Sequence, residues 1–241
     1  MSRLEHLRRF YALLAELEHR LGGSRQLHNC DGRMGWPTRG IYFFFESGEQ
    51  RHDSGSGSRV VRVGTHALKA GSRTSLWKRL SQHRGVAKSG SGDHRGSIFR
   101  LIVGAALIRR EDWDCQSWGI ASHPRQAAER LGISQSVLVS AERPIEKRVS
   151  EYIGAMPFLW LGVDDELGAG SQRGFLERNA IALLSNYSRE PIDPPSGDWL
   201  GQYSDRELVR QSGLWNNNHV QETYDPRFLD TLEKIVERTA G

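Results

Sequence analysis

Gly40-Ile41-Tyr42-Phe43-Phe44-Phe45 and Arg59-Val60-Val61-Arg62-Val63-Gly64 are two runs of aromatic and β-branched residues separated by the polar, Gly/Ser-rich stretch 47–58. Runs of that composition read as strands, and the stretch between them reads as a flexible hairpin loop. Strand alternation puts Ile41, Phe43 and Phe45 on one face and Tyr42 and Phe44 on the other. On the second strand Val61 and Val63 oppose Arg62. Pairing the apolar sets then brings Tyr42 and Arg62 to a shared face.

Outward from this hairpin, a helix is expected from about Thr74 to Arg84, with Ser75 as N-cap and Leu76 and Leu80 turned inward. Arg79 and His83 are four residues apart and stack on one side of it, at the edge of the apolar stripe. A glycine-rich loop over 85–96 leads into Ile98–Ile108, whose apolar run reads as a buried strand. A helix is expected over Arg125–Leu131 and a short strand over Val137–Ser140. Pro144 suits the first position of a helix reaching about Met156, because its missing N–H costs nothing there. Phe158–Val163 reads as a strand.

At the N-terminus, Ser2 and Glu5 have capping-box spacing ahead of the stripe Leu4, Leu7, Phe10, Leu14, Leu17 and Leu21, which Gly22-Gly23 end. Downstream, helices are expected near 172–187, 205–210 and 226–238, around the Pro-rich connector 190–199. Strands and helices in this order give an α+β fold, a small mixed or antiparallel sheet flanked by helices. The expected organisation is an N-terminal helix and loop (1–37), a sheet-based core (38–162) and a helical lobe packed on it (163–241).

Of 241 residues, 37% are hydrophobic and 26% charged, which suits a globular domain with a core of its own. No apolar run approaches the roughly 18 residues of a membrane span. Arg3, Glu5, Arg8 and Arg9 interrupt any signal-peptide core. Cys30 and Cys115 stand far apart, which excludes a cysteine zinc site and suggests two reduced thiols and a cytoplasmic setting. Net charge is only +4, but residues 59–100 hold ten Lys/Arg against one acid. Residues 161–241, by contrast, hold eight basic against fourteen acidic residues. A basic block beside an acidic tail points to one face for a polyanion.

The order strand Gly40-Ile41-Tyr42, strand Arg62-Val63-Gly64, helix with Arg79 and His83, helix with Glu146 resembles the GIY-YIG endonuclease superfamily over roughly residues 38–162. The Arg-x-x-x-His spacing is similar to that of the superfamily's restriction enzymes. Two features depart from the pattern. Arg62 stands where the second half of the motif has tyrosine, and Phe158–Leu161 occupies the region where an asparagine often follows. The resemblance implies that the motif tyrosine and helix arginine act at the phosphate and that one glutamate holds one metal.

Phosphodiester hydrolysis needs a base for water, a cation for developing charge and usually a divalent metal. Tyr42 or His83 can supply the base and Arg79 the cation. An arginine cannot be the base near neutral pH, so Arg62 is expected to clamp a phosphate. Glu146 sits at the border of the stripe Ile145, Val149, Ile153 and Met156 and is the expected ligand for Mg²⁺ or Mn²⁺, which accept one carboxylate and several waters. Glu142 is expected to precede the helix, and Glu151 to face solvent. Arg39, His66, Lys78, Arg84 and Arg95 are expected to contact nucleic acid. Trp215-Asn216-Asn217-Asn218-His219 reads as a capped turn, and Trp199, Tyr203, Leu214 and Trp215 as apolar mass for packing on the core or for a homodimer.

The expected function is a metal-dependent endonuclease of DNA, double-stranded by expectation, in a restriction or defence setting. The alternatives are a nucleic-acid-binding protein on the same fold without catalysis, which Arg62 favours, and a protein whose basic block meets an acidic partner.

Overall fold

The computed structural model describes every residue except 69, 70, 167, 169, 240 and 241; Lys69 of the basic block lies outside the described residues. Strands β1 (Arg25–Gln26), β2 (Gly40–Gln50), β3 (Ser58–Gly64) and β4 (Pro157–Gly162) form one antiparallel sheet in the order β1-β4-β2-β3. Around it lie α1 (Arg3–Arg20), α2 (Leu76–Arg84), α3 (Ile98–Glu111), α4 (Pro124–Leu131), α5 (Gln135–Ala155), α6 (Gln172–Leu184), α7 (Glu207–Ser212) and α8 (Phe228–Arg238). The chain is an α+β protein. None of the helices described is long and apolar enough to cross a membrane.

The expected alternation on β2 decides the layering. Ile41 and Phe43 pack with Phe10 and Leu14 of α1, Ile181 of α6 and Phe228 of α8. On the opposite face Tyr42 and Phe44 pack with Leu76 and Leu80 of α2, Phe99 and Ile102 of α3, and Val149 of α5. The first of these cores draws on residues from 1–37, 38–162 and 163–241 alike. Phe44 is paired with Arg62 and Tyr42 with Gly64, so Tyr42 and Arg62 do share a face. A register shift follows Phe44, where Val60 rather than Val61 pairs with Phe45. Val61 therefore joins the cluster of Tyr42 and Phe44, not the opposite face expected from simple alternation.

Both motif glycines are required by close approach. A Cβ on Gly64 would lie 2.3 Å from the Tyr42 hydroxyl oxygen, and one on Gly40 would lie 2.5 Å from the Leu161 carbonyl oxygen. The Tyr42 ring occupies the space that a side chain at 64 would fill.

Four expectations are corrected. Ile98–Ile108 is not a strand but most of α3. Ser97 caps that helix by accepting from the Arg100 N–H, and its buried set Phe99, Ile102, Val103, Ala106 and Leu107 follows the helical period. An eleven-residue apolar run does not distinguish the two states by hydropathy alone. Val137–Ser140 is also helical, belonging to α5, which Ser134 caps through the Val137 N–H. Pro144 lies inside α5 rather than at its start, and Glu142 lies inside it too. An internal proline costs a helix about 3 kcal/mol. Here Pro144 faces solvent, and the buried face of Leu138, Glu142, Ile145, Glu146 and Val149 holds the helix continuous across it.

Candidate active site

The β2–β3 face, α2 and α6 enclose a cavity of about 420 Å³ lined by Tyr42, Arg62, Arg79, His83, Glu177, Arg206, Asn217, Asn218 and His219, among others. Four of the five expected catalytic residues therefore converge. α2 contributes Arg79 and His83 because Leu76 and Leu80 fix its apolar side against the sheet, and Ser75 caps it through the Lys78 N–H.

Tyr42 and His83 form one hydrogen-bonded unit. The Tyr42 hydroxyl lies 2.8 Å from His83 Nε2, and His83 Nδ1 lies 2.7 Å from Ser97 Oγ. Burial pushes the Tyr42 phenol up, outweighing the lowering by Arg62 and Arg79. Burial, reinforced by Arg62, Arg79 and Arg100, holds the His83 imidazole well below its ordinary value. Both groups are neutral at pH 7, because desolvation disfavours the charged form of each.

Arg62 is 7% exposed. Its guanidinium stacks 4.6 Å from the Phe99 ring centroid and donates from Nη1 to the Trp215 carbonyl. Arg79 is half-buried, and its Nη1 donates weakly to the Gly96 carbonyl at 3.5 Å. The Nε of each is buried without a hydrogen-bond partner. Neither arginine forms an ion pair within 4.0 Å among the described residues. Two such guanidiniums lining one cavity leave their charge to an anion.

The carboxylate lining this cavity is Glu177, a residue the sequence pattern did not single out. One of its oxygens accepts from the Thr65 N–H at 3.0 Å. Burial raises its carboxyl above the usual carboxylate range despite Arg62, His219 and Arg79 nearby. Glu177 lies on α6, four residues before the buried Ile181, within a helix whose Leu176, Ala180, Leu183 and Leu184 are also buried. An acid on so apolar a helix was the available signal. Asn217, Asn218 and His219 reach the cavity because the preceding residues are fastened to β3: the Trp215 N–H donates to the Val61 carbonyl at 2.7 Å, and the Asn216 amide bonds both Val63 backbone groups. That segment covers the sheet edge and is more than a capped turn. Trp199 and Trp215, expected as packing mass, are buried within this chain's own core, whereas Tyr203 is 44% exposed.

Glu146 is placed elsewhere and does not line the cavity. Its Oε1 accepts from the His94 N–H at 2.6 Å and from His94 Nδ1 at 2.8 Å, and its Oε2 pairs with Arg100. Asp93, His94 and Glu146 present ligand atoms within 4.8 Å of one another. The donor set nevertheless does not suit a cation. Arg100 already neutralises the carboxylate, and both His94 ring nitrogens are engaged, since Nε2 accepts from the Gly119 N–H at 3.2 Å.

Of the expected nucleic-acid contacts, Lys78 is exposed and Arg39 half-exposed. Arg84 stacks over Trp77 and donates to the Cys30 carbonyl. Arg95 is bound by two 2.7 Å contacts to buried Glu142, which removes it from the surface. His66 is 2% exposed, and its Nδ1 bonds the Thr74 carbonyl at 2.8 Å. Burial pulls the His66 imidazole down to about 4. In the unfolded chain it takes up a proton near 6.5, so the unfolded state holds the extra proton between these values. His66 therefore lowers stability progressively as pH falls from 6.5 towards 4. Urea midpoints measured at pH 7 and pH 5 should show a smaller acid loss for His66→Asn than for the wild-type chain. Equal losses would contradict this account.

The family model described as "GIY-YIG domain" matches residues 1–241. The chain belongs to the GIY-YIG family. No curated protein and no solved structure matches it. Membership gives this GIY-YIG protein a nuclease-type function. The match covers the whole chain, so it includes α6 and Glu177 as well as the strands and α2.

Proposed function

We propose that this GIY-YIG protein is a divalent-metal-dependent DNA endonuclease with its active site in the Tyr42–Glu177 cavity. The observation that carries this reading is the convergence of two arginines lacking carboxylate ion pairs, a neutral Tyr–His pair and one carboxylate around a single cavity. Arg62 and Arg79 hold the scissile phosphate and offset charge that develops on it. With hydrogen on His83 Nδ1, donated to Ser97 Oγ, the free Nε2 accepts the Tyr42 proton. The Tyr42 oxygen then takes a proton from the attacking water as its own passes to His83. One proton is gained by the pair in that step, and the negative charge arriving with the phosphate offsets the arginines that otherwise disfavour an imidazolium.

The residues fit Mg²⁺ or Mn²⁺ at Glu177. Its carboxylate has a single hydrogen-bond donor among the described residues, and one carboxylate with several waters is an ordinary Mg²⁺ environment. When bound there, the cation supplies Lewis-acid stabilisation of the phosphate oxygens and leaving group. Supercoiled plasmid incubated with the protein is expected to be nicked with Mg²⁺ or Mn²⁺ and to stay intact with chelator. Intact plasmid under both conditions, with duplex binding retained, would favour the binding protein without catalysis.

A further inference from the structure

α4 and α5 are joined by only Gly132-Ile133-Ser134. Gly132 is left-handed (φ 66°), the Ile133 N–H reaches back to the Ala128 carbonyl at 3.1 Å, and Ser134 caps α5. This is a helix closed by a left-handed glycine and followed at once by a capped helix. The pair packs on a small core of its own, Ala127, Ala128 and Leu138 with Ile120, Ala121 and Leu131. A three-residue, glycine-containing turn between two helices is the connection of a helix-turn-helix.

The first four turns of α5 sort their side chains by charge. Glu142 and Glu146 point inward, where Arg95 and Arg100 neutralise them. Ser136, Val139, Ser140, Arg143 and Lys147 are exposed on the other side at helical spacing, and Arg143 and Lys147 have no ion pair among the described residues. Val139, Arg143 and Lys147 also line a groove of about 470 Å³ against the loop that carries Val86 and Ser89. That loop presents exposed Lys88. A surface of small polar groups, one methyl-bearing side chain and unpaired cations is complementary to base edges, a thymine methyl and phosphates.

We infer that α4–α5 is a helix-turn-helix and that the Ser136–Lys147 face of α5 reads the major groove of duplex DNA. This rests on the endonuclease reading and extends it by naming the element that selects the sequence. The element is anchored to the catalytic helix. Arg100, held by Glu146 of α5, donates from Nη1 to the His83 carbonyl of α2 at 2.9 Å, so the reading helix and the cavity share a fixed spacing.

The test uses binding in chelator, which needs no cleavage. The wild-type protein is expected to enrich a defined sequence from a randomised duplex pool. Ser136→Ala with Ser140→Ala should change the sequence enriched. Arg143→Ala with Lys147→Ala should weaken duplex affinity by about tenfold and lower the slope of log affinity against log salt by about two. All four positions are exposed, so thermal midpoints should match wild type. Unchanged affinity, salt slope and enriched sequence in both double variants would overturn the inference, as would the lack of any enriched sequence for wild type. Failure of the endonuclease reading has a different signature: no metal-dependent nicking, while the α5 variants still alter binding.

Discussion

Glu177→Gln is expected to abolish metal-dependent nicking while leaving the protein folded. The substitution keeps size and shape, and the amide oxygen still accepts from the Thr65 N–H that now meets the carboxylate at 3.0 Å. The glutamine retains no negative charge to hold a cation. Loss of Lewis-acid stabilisation worth several kcal/mol corresponds to a rate reduction on the order of a thousandfold. The wild-type carboxyl is raised by burial, so cation and proton compete for it. Metal demand should accordingly rise as pH falls, and this dependence should vanish in the variant together with activity. Plasmid nicking against metal concentration at two pH values, with thermal melting as the fold control, measures both effects. A variant that nicks like wild type would put the metal site elsewhere.

Much of the cavity was legible before the structure because its parts are local. Tyr42 and Arg62 follow from strand alternation, and Arg79 and His83 from a four-residue helical spacing beside a capped start. The bulge at Val61 did not disturb this, because it begins on the far side of Arg62. What sequence reading missed depends on contacts distant in the chain. Glu177 reaches the cavity only because α6 packs across Ile41 and Phe43 on the sheet, and His219 only because Trp215 and Asn216 bond to Val61 and Val63.

The Ile98–Ile108 and Pro144 readings failed for a related reason. Both used a local propensity that tertiary packing overrides. α3 is apolar enough to be a strand, but Phe99, Ile102, Val103 and Ala106 all pack on one core. Pro144 looked like a start signal, but Ser134 ten residues earlier is the residue that caps. Glu146 was then assigned to the first turn of a helix with an open cleft beside it. With α5 extended toward the N-terminus, that carboxylate falls in the middle of a buried contact instead.

The second large effect follows from that contact. Glu146→Ala is expected to destabilise the fold by about 3–5 kcal/mol, because it leaves a buried guanidinium without its counter-charge. Arg100 is fully buried, and its remaining partners would be neutral: the Glu146 backbone carbonyl at 2.8 Å, Ser150 Oγ at 3.0 Å and the His83 carbonyl at 2.9 Å. Against a total stability of about 5–15 kcal/mol, such a loss should lower the melting temperature by roughly 10 °C. The carboxylate supports the fold from two sides, since Oε1 also takes both His94 donors. Burial alone would push its carboxyl up, but His94 and Arg100 outweigh that and hold it below the usual carboxylate range. Its contribution is therefore present above the unfolded carboxyl value and disappears as pH falls through the lower native one. Replacing both partners separates structure from catalysis. Glu146→Met with Arg100→Met removes the unpaired charge and should recover most of the lost stability, as apolar replacement of buried pairs often does. Thermal and urea melts of the single and double variants decide the matter. A Glu146→Ala protein that melts like wild type but loses its stabilisation by Mg²⁺ would restore Glu146 as a metal ligand. A melting temperature that falls in the single variant and returns in the double assigns it to holding α5 against α3.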